Sequence, residues 1–265
     1  MEAKVFYDLT IGIVTFLVGV GLTWLYHMTK NSYNINRRKR FWIGKDATLN
    51  IIYGVRRGTI DVDKEIEAAD IDVLNIVNVN DVKAIAYASA HLHAITDITI
   101  NTTEEFPSRQ GNLFLIGGPI ANSITKEIVD EVRPHFDFRI LDEKNREVYN
   151  IEGTYDISTK FNDRGEIVRD VGWFYRSANP FDINNIVVIA AGCFGYATES
   201  IVRFLSSPEF IKMINREQLT HLEGVIEVIV QNGRIIRWHP IQIFSYDTKY
   251  YVRDSYSIGS IGKKD

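Results

Sequence analysis

The segment Ile186–Leu205, IVVIAAGCFGYATESIVRFL, changes character twice along its length. Ile186, Val187, Val188 and Ile189 form an unbroken β-branched run, the pattern of a strand buried on both faces. Gly192 and Gly195 supply a turn, and Ile201, Val202, Phe204 and Leu205 then recur at helical spacing behind Thr198 or Ser200, either of which can cap the helix. In open α/β sheets ligands sit at such a junction, because glycines let backbone N–H groups approach an anion and the helix start adds a partial positive charge. Gly192, Gly195 and Thr198 are therefore candidate ligand-binding residues.

The same grammar occurs earlier. Asn112–Thr125 (NLFLIGGPIANSIT) reads as a strand, then Gly117-Gly118-Pro119, then Asn122 or Ser123 capping a helix through Ile128, Val129 and Val132. Two strand–Gly–helix units predict two loops opening at one edge of a parallel sheet, and add Gly117, Gly118 and Asn122 to the candidate set. Neither unit carries the full G-x-G-x-x-G pattern or a P-loop with its Lys and Ser/Thr, which disfavours a dinucleotide dehydrogenase and a P-loop NTPase.

Arg176 follows Trp173, Phe174 and Tyr175 just upstream of the main strand, a placement suited to grasping a phosphate or stacking on a base. Arg56, in the loop after the strand Leu49–Gly54, is a second candidate for an anionic ligand. Glu199 is the best-placed carboxylate, at a helix start beside the Gly turn, where it could contact a ribose or activate a water. No G-x-S-x-G elbow and no H-E-x-x-H occurs. His91 and His93, two apart on a helix starting at an Asp81 N-cap, point about 200° apart and do not chelate one ion, so no metal site is expected.

Toward the C-terminus, Glu223–Ser245 places GVIEVIV and RIIRWHPIQIF on either side of Asn232-Gly233, the pair a type I′ turn requires, so an antiparallel hairpin is predicted there. At the other end, Leu9–Tyr26 contains no charged residue, and at about 1.5 Å per residue its helix reaches roughly 27 Å, close to the ~30 Å hydrocarbon layer. Lys30 and Arg37–Arg40 follow it, which by the positive-inside rule predicts a single-pass membrane protein with its N-terminus outside and its main domain in the cytoplasm. The same cluster fits contact with anionic lipid. The predicted organisation is a transmembrane helix over 1–30, a polybasic juxtamembrane linker over 31–48, and an α/β domain over 49–265.

The chain of 265 residues is 45% hydrophobic and 24% charged, the composition of a globular protein able to bury a sizeable core. A net charge of -4 argues against general DNA or RNA binding. The lone Cys193 excludes an intramolecular disulfide and fits a reducing compartment. Asn101–Thr103 matches a glycosylation sequon, expected to stay unmodified in the cytoplasm.

Taken with Gly117-Gly118-Pro119, the run Gly192–Glu199 (GCFGYATE) resembles the Rossmannoid SLOG superfamily, whose members bind nucleotides or nucleotide-derived signals and are sometimes joined to transmembrane segments in prokaryotic defence systems. The typical phosphate-binding pattern there is a Gly-Gly-x-Gly-Thr run with a Glu shortly after; here the Gly-Gly and the Thr198-Glu199 lie in different units. The expectation is a Rossmann-like three-layer α/β domain with a mostly parallel sheet, a C-terminal antiparallel hairpin and an N-terminal transmembrane helix. Its expected function is to bind a nucleotide or nucleotide-derived anion as a sensor or signalling effector, with the lipid bilayer and further copies of the chain as partners. Two alternatives stand beside it: a nucleotide N-glycosidic hydrolase or transferase using Glu199, and a membrane-tethered interaction module with no small ligand.

Overall fold

The computed structural model describes the backbone of residues 2–53, 56–58, 74–76, 79–93, 99–103, 108–140, 146–150, 156–207, 209–210, 213 and 221–245, and their side chains from 18 onward except at 37, 56–58, 74–76, 99–103, 139–140, 149–150, 156 and 244–245. The chain divides into two units, Met1–Arg40 and Phe41–Asp265.

The first unit is helical. Helix α1 (Glu2–Trp42) continues without a break through most of the expected juxtamembrane linker over 31–48, so the boundary falls at Arg40. Thr23 and Thr29 donate their hydroxyls back to the carbonyls of Gly19 and Leu25 at 2.8 and 3.0 Å, which keeps polar side chains compatible with the helix. The predicted membrane span is corrected here: among the described residues no helix is long and apolar enough to cross a membrane. The described side chains of α1 begin at Val18, and His27, Lys30 and Asn31 follow the aromatic end of the expected span. The cytoplasmic placement inferred from that span falls with it.

The second unit is built in chain order from β1 (Thr48–Tyr53), the short pair β2 (Arg56–Gly58) and β3 (Leu74–Ile76), α2 (Val79–His93), β4 (Thr99–Thr103), β5 (Asn112–Ile116), α3 (Ser123–Val132), β6 (Phe136–Ile140), β7 (Arg146–Asn150), β8 (Asp156–Ser158), β9 (Lys160–Phe161), β10 (Ile167–Asn179), β11 (Asp182–Gly192), α4 (Gly195–Leu205), β12 (Leu222–Gln231) and β13 (Arg234–Ser245). The main sheet runs β13-β12-β10-β11-β5-β1-β4, with β9 against β10. From β11 to β4 the strands are parallel, Val187 lying opposite Leu113, Leu49 opposite Asn112 and Asn50 opposite Asn101. From β11 to β13 they are antiparallel.

This mixed sheet overturns the Rossmann-like expectation of a mostly parallel one. The cause lies at Asn179-Pro180-Phe181-Asp182: β10 and β11 are joined by two residues, which cannot hold the crossover a parallel neighbour needs, so β10 enters the sheet as a hairpin partner. The Asn179 side chain locks that turn by accepting from Phe181 N at 3.0 Å while donating to the carbonyls of Arg109 and Gly111 at 2.9 and 2.8 Å. The hairpin at Asn232-Gly233 forms as its sequence predicts, with φ of 50° and 70° at the two central residues.

Side chains alternate across β10 and divide the unit into layers. Val171, Trp173 and Tyr175 face a core with Leu113, Val187 and Ile189, Ile128 of α3, and Phe136, Val148 and Ile157 of the three-stranded sheet β6–β7–β8. Gly172 and Phe174 face the other way, toward α4: a Cβ on Gly172 would lie 2.6 Å from Ile201 and 2.9 Å from Ala197, and Phe174 packs on Phe204 at 5.7 Å. Helix α2 lies beside α4, where Arg203 stacks over Tyr87 at 4.3 Å. Asp81 sits in the first turn of α2 rather than at its N-cap, because the helix begins at Val79.

Candidate functional site

The two glycine turns open side by side. Strands β5 and β11 are parallel neighbours with Ile116 opposite Ala190, and Gly117 N donates to Ala190 O at 2.9 Å. From these strands α3 leaves toward one face of the sheet and α4 toward the other, the arrangement that forms a crevice in open α/β sheets. The groups lining that position decide what it can do.

At α4 the residue before the helix, Phe194, makes no side-chain cap, and a side chain from another strand bonds the start of the helix instead. Asp170 of β10, with no exposed surface, reaches across: Oδ1 accepts from Val171 N at 2.8 Å and Phe194 N at 3.1 Å, and Oδ2 from Ala197 N at 2.8 Å. Two of the amides at this helix start thus bond the chain's own side chain. Burial pushes the Asp170 carboxyl up to about 7, against the opposing pull of the Ala197, Val171 and Phe194 amides and the charge of Arg146.

Gly192 serves this closure. A Cβ there would stand 2.2 Å from Phe194 O and 2.7 Å from Thr198 N, so only glycine lets the turn fold back onto the helix. Thr198 does not cap α4, because the helix starts earlier at Gly195; its Oγ1 instead accepts from Gly192 N at 3.0 Å. Over the turn, Arg146 Nη1 donates to Cys193 O at 2.9 Å and its guanidinium stacks 4.5 Å from the Phe194 ring centre. Cys193 is 4% exposed, and burial first, then the charge of Asp170, pushes its thiol well above the usual range, which removes it as a thiolate nucleophile.

At α3 the cap is Asn122, as its sequence suggests. Its Oδ1 accepts from Ile124 N and Thr125 N at 3.1 and 3.2 Å, and its Nδ2 faces the carbonyls of Ile52 and Ile116 at 3.4 and 3.5 Å. Asn122 thus ties the ends of β1 and β5 to the start of α3. Gly117 holds φ 105°, and Thr125 Oγ1 donates to its carbonyl at 3.1 Å. Gly118 O accepts from Ala121 N and Asn122 N, both at 3.0 Å.

The remaining candidates are dispersed. Arg176 is 6% exposed, donates from Nε to Phe41 O at 2.9 Å and lies 5.1 Å from the Phe41 ring centre, so its charge fastens the start of the second unit. Glu199 is 2% exposed between α2 and α4, bonded to Arg203 at 2.5 Å and 3.8 Å from Lys83 Nζ. The side chain of Arg56, in β2, and those of the Asn101–Thr103 sequon, in β4, lie outside the described residues. His91 packs near Trp42 at 6.4 Å while His93 is exposed, and among the described residues no group of three His, Cys, Asp or Glu is placed to hold a metal.

Sequence reasoning missed the two acids that have no exposed surface among the described residues. Asp170 is one; Glu223 is the other, with no exposed surface, accepting from Trp173 Nε1 at 2.7 Å, Phe136 N at 2.8 Å and His135 N at 3.1 Å. It fastens β6 to β12 in the main sheet. Each stands in an apolar or aromatic run that reads as strand, and a charge at such a position is the signal that marks a buried anchor.

No curated protein and no solved structure matches the chain. A family model described as "S-layer like family, outer domain" matches residues 46–203, from the entry to β1 through most of α4, and so contains both capped turns and Asp170. That match overturns the resemblance to SLOG domains, and the nucleotide-sensing and defence associations drawn from it fall as well: the glycines that suggested them are shared by any chain that must turn tightly from strand to helix. Because the match covers more than half of its length, the chain belongs to the S-layer like family.

Proposed function

We propose that this protein is a structural component of a surface layer, acting through contacts of its outer faces with further copies of itself rather than through catalysis or a small ligand. Membership of a family described by an S-layer outer domain supports a place at the cell surface. The observation that carries the non-ligand part is the capping of α4 by Asp170: the amides of Phe194 and Ala197 are already bonded by a buried side chain. Asn122 does the same at α3.

The test combines two measurements on the full chain. Negative-stain microscopy with light scattering, over a range of protein concentrations, is expected to show ordered assemblies that grow with concentration. A thermal-shift panel of nucleoside mono-, di- and triphosphates, dinucleotides and cyclic dinucleotides is expected to leave Tm unchanged, since only selective binding to the native state raises it. A chain monomeric at every concentration would overturn the assembly reading. A Tm rise with a nucleotide would overturn the non-ligand part, and turnover of that nucleotide lost in Glu199→Gln would reassign the protein as an enzyme.

A further inference from the structure

Strand β4 (Thr99–Thr103, TINTT) closes one side of the main sheet: it pairs with β1 from Thr48 to Ile52 and, among the described residues, no strand lies beyond it. A free strand edge is a template for unwanted pairing, and proteins blunt such edges with charge, proline or bulges. The opposite edge, β13, has all three: Arg234 and Arg237, Pro240, and two register shifts against β12. β4 has none of them. It is uncharged, β-branched at every position but Asn101, and in unbroken register with β1. What it holds instead is Asn101-Thr102-Thr103, and no other Asn-x-Ser/Thr occurs in the chain. Positions two apart on a strand share a face, so Asn101 and Thr103 stand on one side of β4, beside Asn50 and Ile52 of β1. Ile52 belongs to the core under α3, whereas α2 packs with α4 on the other face. Asn50 is nearly buried with a strand on either side of it; Asn101 has a flanking strand on one side only.

We propose that Asn101 is an N-glycosylation site and that its glycan shields the β4 edge of the sheet. The inference rests on the cell-surface placement proposed above, because a chain that crosses to the surface meets a lipid-linked sugar donor that a cytoplasmic chain does not. In the transfer, Nδ2 of Asn101 forms a bond to C1 of a sugar carried on a lipid diphosphate. The C1–O bond to the diphosphate breaks, the lipid diphosphate leaves with its electron pair, and the proton lost from Nδ2 goes to a base of the transferase. An edge strand presents its sequon without parting two ladders, since only β1 holds β4. The bulky, hydrated glycan then does for β4 what arginine and proline do for β13, and copies of the chain meet through other faces than this edge.

The experiment is mass spectrometry of the peptide containing Thr99–Thr103, from the full chain made in its source organism, beside protease treatment of the intact cells. The peptide is expected to carry a glycan mass on Asn101 that is lost in Asn101→Gln and in Thr103→Lys and kept in Thr103→Ser. An unmodified Asn101 overturns the site. Cleavage of the chain on those cells then shows that the surface placement stands and the site alone is wrong; protection shows that the placement has failed with it. Light scattering of the purified variants tests the shield. Asn101→Gln is expected to form irregular aggregates at concentrations where the glycosylated chain does not, and Thr103→Lys, without a glycan but charged at the edge, is expected to behave as the glycosylated chain does. Equal scattering by the two variants overturns the shield.

Discussion

Asp170 and Asn122 solve the same problem in two ways. A helix that starts directly after a buried strand leaves amides with no partner in a region closed to water. At α3 a local Asn supplies the acceptor, and the sequence shows it; at α4 the acceptor comes from β10, 27 positions before Ala197. Asp170→Ala is expected to destabilise the chain by about 2 kcal/mol or more at pH 6, seen as a lower urea midpoint, because two turn amides are left buried and unpaired. An unchanged midpoint would mean that water replaces the carboxylate and that the turn is open. Asn122→Ala should cost about 1 to 2 kcal/mol by the same measurement, the ordinary worth of an N-cap. Glu199 and Arg176 show the limit of reading residues singly. Glu199 looked like site chemistry beside a glycine turn and Arg176 like an anion clamp upstream of the main strand, and both make packing contacts, one between α2 and α4 and the other against Phe41.

Among elements, the strand–turn–helix units and the Asn232-Gly233 hairpin were legible because each is specified within some twenty neighbouring residues by periodicity and turn chemistry. The orientation of β10 was not. An aromatic run says that a segment is buried, while the direction of its neighbour depends on a two-residue connection to β11. The glycines separate in the same way. Gly192→Ala should destabilise by roughly 3 kcal/mol, since the new methyl would stand 2.2 Å from Phe194 O. Gly118→Ala should change stability by less than about 0.5 kcal/mol, as its nearest neighbours are Ala191 and Phe138 at 3.8 and 3.9 Å. Thermal denaturation of the two variants side by side checks the assignment: equal losses would show that the α4 turn is less tightly closed than its distances indicate. Both outcomes bear on whether glycine here serves folding or access.

For the whole molecule, the buried Asp170 predicts how stability follows pH. Its carboxyl is raised from an ordinary 3.8 to about 7, so the folded chain binds the proton more tightly than the unfolded one. The stabilisation is fully present below pH ~4, declines as pH rises through 7, and contributes nothing further above it, a span of roughly 4 kcal/mol at about 1.4 kcal/mol per pKa unit. Urea unfolding of the unaltered chain and Asp170→Asn at pH 5, 6, 7 and 8 isolates this contribution: the difference between the two should change across pH 5 to 7 and stay constant above, and a constant difference throughout would refute it. By itself the sequence determined the local grammar of this protein, namely that Asn112–Ile116 and Ile186–Ile189 lie in buried strands, that Asn122 caps a helix, which turn makes the hairpin and that the composition supports a core, because each follows from contacts between near neighbours. Only the tertiary structure decided that the sheet is mixed, that the two glycine turns open side by side, and that Asp170 bonds the amides at the start of α4. Those outcomes depend on which distant strand lies alongside, and a carboxylate on β10 finds the amides of α4 only once β10 and β11 have paired.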